Sequence, residues 1–326
     1  MSHPLLRRRL SLLELMVIVA VVAVGLGLWI PAVRAGREAA RRSQCTGNLK
    51  MIALALHNYH EVHGSFPPGV GGGGPAGPRW SVQALTLTYL ERNELYAALN
   101  FAGVPWGHDP TWSPMNMTAL RTQIPNFVCP SDDDAIPDAP GLGHNSYRLN
   151  AGTLPVNLTL GSVGGTGAND GPFYLGSATR IDQVTDGTSM TAAGSERCLG
   201  TGATPDPRAD YYRVGSPVAG CGGVNSRSPR WTNPVEWSGQ RWGDGNAFYT
   251  RYHHLLPPNT SSCTDGTDDY DGQAVITASS RHPAGVNVIM LDGSIRFIRN
   301  NVSPGPWKAM GTIAGGDAPS PADSDY

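Results

Sequence analysis

The sequence predicts an α+β protein in which a long N-terminal helix, membrane-spanning in its first half, packs on a β-rich antiparallel globular domain. Three observations lead to this prediction. An apolar run of 21 residues begins at Leu10, and a second apolar stripe at helical spacing follows it. The rest of the chain contains most of the 41 glycines and 27 prolines, a composition typical of a turn-dense β body with long loops.

A basic leader over residues 1–9 precedes a predicted transmembrane helix over residues 10–33. The apolar run has about the 20 residues that cross a bilayer core as a helix. Glu14 lies one turn inside this run, where a carboxylate is costly and is more often functional than accidental. Arginines flank both ends, so charge alone does not define the orientation. An ordinary secretory signal peptide cut after Ala35 is the alternative interpretation.

The helix is expected to continue over residues 34–63, because apolar residues recur there at helical spacing. They are Leu49, Ile52, Ala53, Leu56, Tyr59 and His60. Gly64 and the Pro- and Gly-rich residues that follow predict the helix end. Residues 64–315 are assigned to a β-rich globular domain with a loop insertion at about 200–272, and residues 316–326 to a polar, disordered tail.

The first apolar run resembles the N-terminus of type IV prepilins and type II secretion pseudopilins. Leu10-Ser11-Leu12-Leu13-Glu14 matches the run before which a prepilin peptidase cuts and whose new N-terminus it methylates. The resemblance implies that Glu14 attracts the freed amine of a neighbouring subunit during assembly. Arg9 stands where the family has Gly, so slow or absent cleavage before Leu10 is expected.

Further segments resemble one large uncharacterised family whose members carry a prepilin-type cleavage/methylation domain and a C-terminal His-x9-Asp-Gly signature. The signature is present as His282 followed by Asp292-Gly293. Other matching segments are Arg34 to Gly69, Leu85 to Asn100, Phe127 to Asp132 and Ile181 to Glu196. Together they cover nearly the whole chain. The resemblance implies a pilin-like fold with a globular domain outside the inner (cytoplasmic) membrane, anchored by a single pass.

The signature itself predicts a β-hairpin. Asp-Gly favours a two-residue turn because both central positions need positive φ. That turn would pair Met290 with Ile295 and Val288 with Phe297. The expected buried face then consists of Val286, Val288, Met290, Ile295 and Phe297. This explains Asp292 and Gly293 as turn residues rather than as a catalytic or metal site. His282 is interpreted as a structural residue more readily than as a ligand, since no second histidine stands at metal spacing.

Charge and cysteine content limit the function further. Residues 51–326 hold 16 basic and 24 acidic residues, a net charge of −8 with neutral histidine, which argues against nucleic acid as a partner. The five cysteines show no Cys-x-x-Cys spacing, so a zinc knuckle is not expected. Cys198, Cys221 and Cys263 could supply one disulfide in an oxidising compartment, although the sequence does not define the pairing. Buried reduced thiols are the alternative.

No cofactor is expected, and calcium is the one ion for which the loops offer ligands. Two acidic loops, 132–134 and 265–271, contain several aspartates, but neither has the EF-hand register. No nucleophile elbow, zinc-protease motif or phosphate loop is present in the sequence, so a catalytic role is not expected.

The sequence therefore predicts a membrane-anchored, pseudopilin-like structural or assembly protein. Its partners would be the membrane, a prepilin peptidase and other filament subunits, either copies of itself or related chains. A membrane-tethered binding module for carbohydrate or protein is the first alternative, and it would use Trp231, Trp237 and Trp242. An extracytoplasmic hydrolase built on the loops of residues 200–272 is the second.

Overall fold

The fold is known here from a computed structural model. It describes residues 11–71, 78–105, 115–132, 141–157, 169–200, 205–217, 221–224, 227–231, 238–267 and 272–316. The helices are α1 Leu12–His63, α2 Val82–Leu85, α3 Asn93–Ala97, α4 Met117–Leu120, α5 Ala247–Thr250 and α6 Pro304–Ala309. The strands are β1 Val70–Gly71, β2 Trp80–Ser81, β3 Tyr147–Asn150, β4 Val156–Asn157, β5 Ala192–Glu196, β6 Tyr211–Arg213, β7 Arg251–Tyr252, β8 Ser262–Thr264, β9 Gln273–Val275, β10 Gly285–Met290 and β11 Ile295–Arg299.

Helix α1 begins and ends with clear capping signals. Ser11 is its N-cap and forms a capping box with Glu14: the Glu14 N–H donates to the Ser11 hydroxyl, and the Ser11 N–H donates to the Glu14 carboxylate at 2.8 Å. Gly64 ends the helix with a φ of 75° and donates its N–H to the His60 carbonyl, which is the left-handed cap that glycine favours.

The predicted pilin-like fold class with a transmembrane helix is wrong. Among the described residues, no helix is long and apolar enough to cross a membrane. The expected single-pass anchor in the inner membrane is therefore not supported.

In the described part of the chain, two sheets of four or more strands build most of the β-rich body, and β1 and β2 form a separate two-stranded sheet. The larger has the strand order β11-β10-β5-β3-β7, and the smaller has the order β4-β9-β8-β6. Most neighbours are antiparallel, as the expected β-rich antiparallel domain requires, but β3 pairs with β7 and β6 with β8 in parallel. β6, α5, β7 and β8 all lie within residues 200–272, so the described parts of the expected insertion contribute to both sheets.

The larger sheet is covered on both faces. Every residue of β10 is buried, whereas a strand with one solvated face alternates between buried and exposed residues. One face contributes Ile289 to a core shared with Leu49, Ile52 and Leu56 of α1. The other face contributes residues such as Val288 to a second core, which contains side chains of the smaller sheet, α5 and α6. The second half of α1 is therefore part of the core of the protein.

Candidate functional site

His282 lies buried where α1 meets the larger sheet, and each of its ring nitrogens faces a carboxylate. Nδ1 is 2.7 Å from Oε1 of Glu38 on α1. Nε2 is 3.4 Å from Oε1 of Glu196 at the end of β5 and 3.6 Å from Sγ of Cys129. An imidazole that faces acceptors with both nitrogens donates from both only when it is protonated. The first residue of the signature therefore forms a charged link between helix and sheet.

Local contacts hold the two glutamates in place. Glu38 also pairs with Arg41 one turn along α1 at 3.0 Å and accepts a hydrogen bond from the Ser131 hydroxyl. Glu196 accepts two hydrogen bonds from Asn287 of β10, from its backbone N–H at 3.0 Å and from its side-chain amide at 2.8 Å. Both carboxylates are thus oriented toward His282 by neighbours that the sheet and the helix supply.

Their contacts raise the pKa of His282 and lower the pKa of Glu38. Burial by itself lowers the pKa of His282, but hydrogen bonds and the charges of Glu196 and Glu38 outweigh it, so the pKa is raised above its usual 6.5. Burial by itself raises the pKa of Glu38, but its hydrogen bonds to His282 and Arg41 outweigh that effect, so the pKa lies below its usual 4.5. Each partner therefore stabilises the charged form of the other.

A disulfide between Cys45 of α1 and Cys129 lies next to His282. Sequence reasoning did not anticipate this bridge or the contact of Glu38 with His282. A signal was present: Glu38 and Cys45 stand seven residues apart, and Leu49, Ile52 and Leu56 continue the same helical face. All the apolar members of that face are buried, so its first polar member was a candidate for burial against the body.

Arg281, beside His282, anchors a second buried polar group. Its guanidinium lies 3.4 Å from Oδ1 of Asp132 and also pairs with Asp206. The Asp132 carboxylate accepts hydrogen bonds from the Ser146 hydroxyl and the Leu199 N–H. Burial raises the pKa of Asp132 to about 6 against these contacts. The first aspartate of the expected calcium loop is thus a buried structural anchor.

The other acidic residues considered for calcium do not form a described ligand set. Asp133, Asp134, Asp268, Asp269 and Asp271 lie outside the described residues. Asp265 accepts a hydrogen bond from the Gln273 N–H at 2.6 Å, a contact within its own loop. The described part of the loops therefore gives no support to calcium, which the sequence offered only as an alternative to the absence of a cofactor.

The turn of the signature hairpin has three residues, not two. β10 and β11 pair Ile289 with Ile295 and Val288 with Arg296, one residue away from the predicted register. Gly293 has a φ of 85°, which suits the left-handed last position of a three-residue turn. Asp292 stabilises the turn, because its carboxylate accepts hydrogen bonds from the backbone N–H and the hydroxyl of Ser294.

The changed register moves the side chains of β11 to the opposite face, as a shift by one residue must. Ile295 and Phe297, predicted to share a face with Val286, instead lie on the side of α1. There the guanidinium of Arg42 lies 3.7 Å above the Phe297 ring, and Ile295 packs on the core that α1 completes. Ile298, predicted to face away, is buried with Val286. The hairpin is thus a docking surface for α1.

The residues expected for processing stay predictions. Arg9 and Leu10 lie outside the described residues. Glu14 is described and serves as the capping-box residue of α1, a local role that the sequence analysis did not assign. Its expected contact with a neighbouring subunit is a matter of assembly, which a single chain does not test.

The tryptophans considered for a binding module are not arranged as one surface. Trp231 and Trp242 are both buried, and they belong to two different cores. The Trp242 indole N–H donates to the Thr122 carbonyl at 3.0 Å. Trp237 lies outside the described residues. The two described rings therefore stabilise the interior and offer no face to a ligand.

The two histidines within residues 200–272, where a hydrolase was the second alternative, are also buried. Burial lowers the pKa of both His253 and His254 to about 3. His254 lies with Nδ1 2.8 Å from the Trp307 carbonyl and Nε2 2.8 Å from the Tyr252 hydroxyl. A general base needs access to substrate and a pKa near the working pH, and these two side chains have neither.

The remaining cysteines include a second bridge. Cys221 and Cys263 form a disulfide, one of the pairings that the sequence left open, and Cys198 is free and buried.

A cavity of about 630 Å³ opens beside α3 and α4, with Arg92, Glu94, Thr118 and Gln123 among its lining residues. None of the residues around His282 lines it.

A family model described as a protein of unknown function (DUF1559) matches residues 34–305. Because this range covers most of the chain, the protein belongs to that family. No curated protein matches the sequence, and no solved structure matches it. Its two disulfides are typical of proteins that fold outside the reducing cytosol.

Proposed function

We propose that this member of the DUF1559 family is a structural subunit that assembles with other copies through the N-terminal part of α1. The observation that carries the proposal is the contrast between the two parts of this helix. Its second half is docked in the body, whereas residues 12–24 expose large apolar side chains around the whole circumference. They include Leu13, Leu15, Met16, Val17, Val19, Val21, Val22 and Val24, all of them at least half exposed.

A helix that is apolar on all sides requires other apolar surface around it. Burying one Leu or Val side chain contributes about 1.5–3 kcal/mol, so the exposed run carries a strong driving force for association. A bundle of the same segment from several copies satisfies this requirement, because each helix offers the others the same surface. Glu14 at the start of the run is the group by which such helices would be brought into register, as the family resemblance implies.

The test compares two equivalent leucines on α1. Leu15 is 51% exposed and Leu54 is 54% exposed, and only Leu15 belongs to the proposed contact segment. We expect the full-length protein to sediment as an assembly, Leu15→Asp to shift it toward the monomer, and Leu54→Asp to leave the sedimentation profile unchanged. Equal effects of the two substitutions, or a monomeric parent protein, would contradict the proposal.

A further inference from the structure

The Cys45–Cys129 disulfide lies among side chains that together form a set of metal ligands. We call the group of Cys45, Cys129, Glu196 and His282 the four-ligand cluster. One ligand atom from each, two sulfurs, a carboxylate oxygen and an imidazole nitrogen, lie within 4.8 Å of one another, and all four residues are buried. Sulfur and nitrogen with a single carboxylate oxygen are donors that Zn²⁺ takes in four-coordinate sites.

We propose that, when the Cys45–Cys129 bridge is reduced, the four-ligand cluster binds one Zn²⁺ ion. In a tetrahedral site with Zn–S of about 2.3 Å and Zn–N of about 2.0 Å, ligand atoms stand about 3.3–3.8 Å apart. His282 Nε2 already lies 3.6 Å from Cys129 Sγ and 3.4 Å from Oε1 of Glu196. Binding then requires the two sulfurs to separate once their bond is broken and the remaining ligand atoms, which all lie within 4.8 Å of one another, to close on the ion.

The surroundings of the cluster are those of a metal centre. Zinc-binding histidines usually donate their second ring N–H to a carboxylate, which defines the tautomer and orients the ring. Glu38 is placed for this role, 2.7 Å from Nδ1 of His282, and it leaves Nε2 to face the cluster. Glu196 is oriented in turn by the two hydrogen bonds from Asn287.

Electrons and protons balance when the disulfide is replaced by a bound metal ion. A dithiol reductant passes two electrons to the S–S bond, the bond breaks, the two sulfurs take up two protons, and the reductant becomes a disulfide. Zn²⁺ then replaces the two thiol protons and the proton on His282 Nε2. The metal itself undergoes no redox change. Bridge and metal exclude each other, and each ties Cys45 of α1 to Cys129 and the body.

The experiment uses the full chain with its second bridge removed. Cys221→Ser/Cys263→Ser leaves Cys45 and Cys129 as the one pair near each other among the described cysteines. This protein is reduced, freed of reductant under anaerobic conditions and titrated with Zn²⁺ and, as a spectroscopic probe, Co²⁺. We expect one equivalent of metal, with thiolate charge-transfer and tetrahedral d–d absorption for Co²⁺. The oxidised protein is expected to bind less than a tenth of an equivalent.

Three variants in the same background identify the ligands. Cys45→Ser/Cys129→Ser is expected to abolish binding, and His282→Gln to weaken it at least 100-fold. Glu38→Gln, which alters only the group behind the histidine, is expected to weaken it by 10- to 100-fold. Arg180→Gln, an exposed substitution on the surface, serves as the control and should bind as the parent does.

The outcome is decisive even if reduction unfolds the chain. In that case Zn²⁺ is expected to restore the near-UV circular dichroism of the parent protein and not that of Cys45→Ser/Cys129→Ser. The proposal is overturned if the reduced parent binds no more tightly than that variant, if Co²⁺ shows no thiolate absorption, or if His282→Gln binds as well as the parent.

Discussion

On α1, Glu38 lies opposite His282 and His57 lies opposite Gly293, the first and last residues of the His-x9-Asp-Gly signature. Glu38 pairs with His282, and a Cβ atom at Gly293 would lie 3.6 Å from Nε2 of His57. The two α1 residues are separated by about 28 Å along the helix axis. β10 runs between His282 and Gly293, and because a strand rises about 3.3 Å per residue, it spans much of that helix length. The spacing of His-x9-Asp-Gly thus matches a length of helix, since His282 pairs with Glu38 of α1 and Gly293 lies beside His57 of the same helix.

His282→Ala is expected to destabilise the protein by about 3 kcal/mol, the lower end of the range for breaking a buried pair. Glu196 would stay buried without the positive charge it faces, although Asn287 would still donate to it. From the sequence alone, a mild effect was expected for a purely structural histidine, whereas the contacts of His282 predict a larger one. Urea unfolding of the oxidised protein measures the difference. Arg180→Ala, in an exposed pair, is the control and should cost little. A loss below 1 kcal/mol for His282→Ala would contradict the importance of this link.

The stability that His282 supplies is expected to depend on pH. Its pKa is raised above 6.5, so its contribution is complete below pH 6.5 and is lost as the pH rises through the folded value. The pKa of Glu38 is lowered below 4.5, so its contribution is present above pH 4.5 and is lost as the pH falls through the folded value. The pair therefore contributes most between about pH 4.5 and 6.5.

The measurement is the difference in unfolding free energy between the wild-type protein and His282→Gln across pH 4 to 9. We expect the difference to be largest between pH 5 and 6.5 and to shrink toward pH 9. Asp132, whose pKa is about 6, titrates in both proteins and largely cancels. A difference independent of pH would show that His282 acts through packing and not through its charge.

The sequence predicted the local turn of the signature but not the residues elsewhere in the chain that contact it. The positive φ of Gly293 follows from the chemistry of the turn, whereas the number of turn residues does not, because Asp-Gly suits both two- and three-residue turns. That one residue decided the face on which Ile295 and Phe297 lie. The link from His282 to Glu38 spans 244 positions, and no local pattern reports a contact of that separation.

On α1, the sequence predicted the burial of the apolar residues but not the partners of the polar ones. Helical spacing identified Leu49, Ile52 and Leu56 as one face, and these residues are buried. No partner was predicted for Glu38 or Cys45 on that face, because their partners come from distant segments. Trp242 shows the opposite error: a large aromatic in an irregular region suggested a binding surface, and tertiary packing buries it.

Gly293→Val is expected to destabilise the protein by about 1–3 kcal/mol, because a β-branched residue resists a φ of 85°. Space is not the reason, since a Cβ there would meet His57 at an ordinary contact distance. Asp292→Asn should be tolerated, because its side-chain oxygen can still accept from the Ser294 N–H. Thermal unfolding of both variants measures the effect. Equal melting temperatures for Gly293→Val and the wild type would contradict the turn assignment.

Cys45→Ser/Cys129→Ser is expected to cost about 4.5 kcal/mol in an oxidising buffer. The bridge joins positions 84 residues apart, and in the chain-entropy model a closed loop of that length restricts the unfolded chain by roughly that amount. The matched comparison is Cys221→Ser/Cys263→Ser, which removes a bridge between positions 42 residues apart. Because its closed loop is shorter, this variant should cost about half a kcal/mol less. Guanidinium unfolding of both double variants tests this, and a negligible cost for either would mean that its bridge does not form.

Cys198 is expected to resist alkylation in the folded protein. The side chain is buried, and burial, with the nearby charge of Asp132, raises the pKa of its thiol to about 12. Thiolate is the reactive form, so iodoacetamide at pH 8 should label the native oxidised chain slowly and the denatured chain rapidly. Mass spectrometry of the labelled protein gives both rates, with Cys198→Ser as the control for background labelling. Rapid modification of Cys198 in the native chain would show that this part of the interior opens to solvent, and would contradict the burial of its side chain.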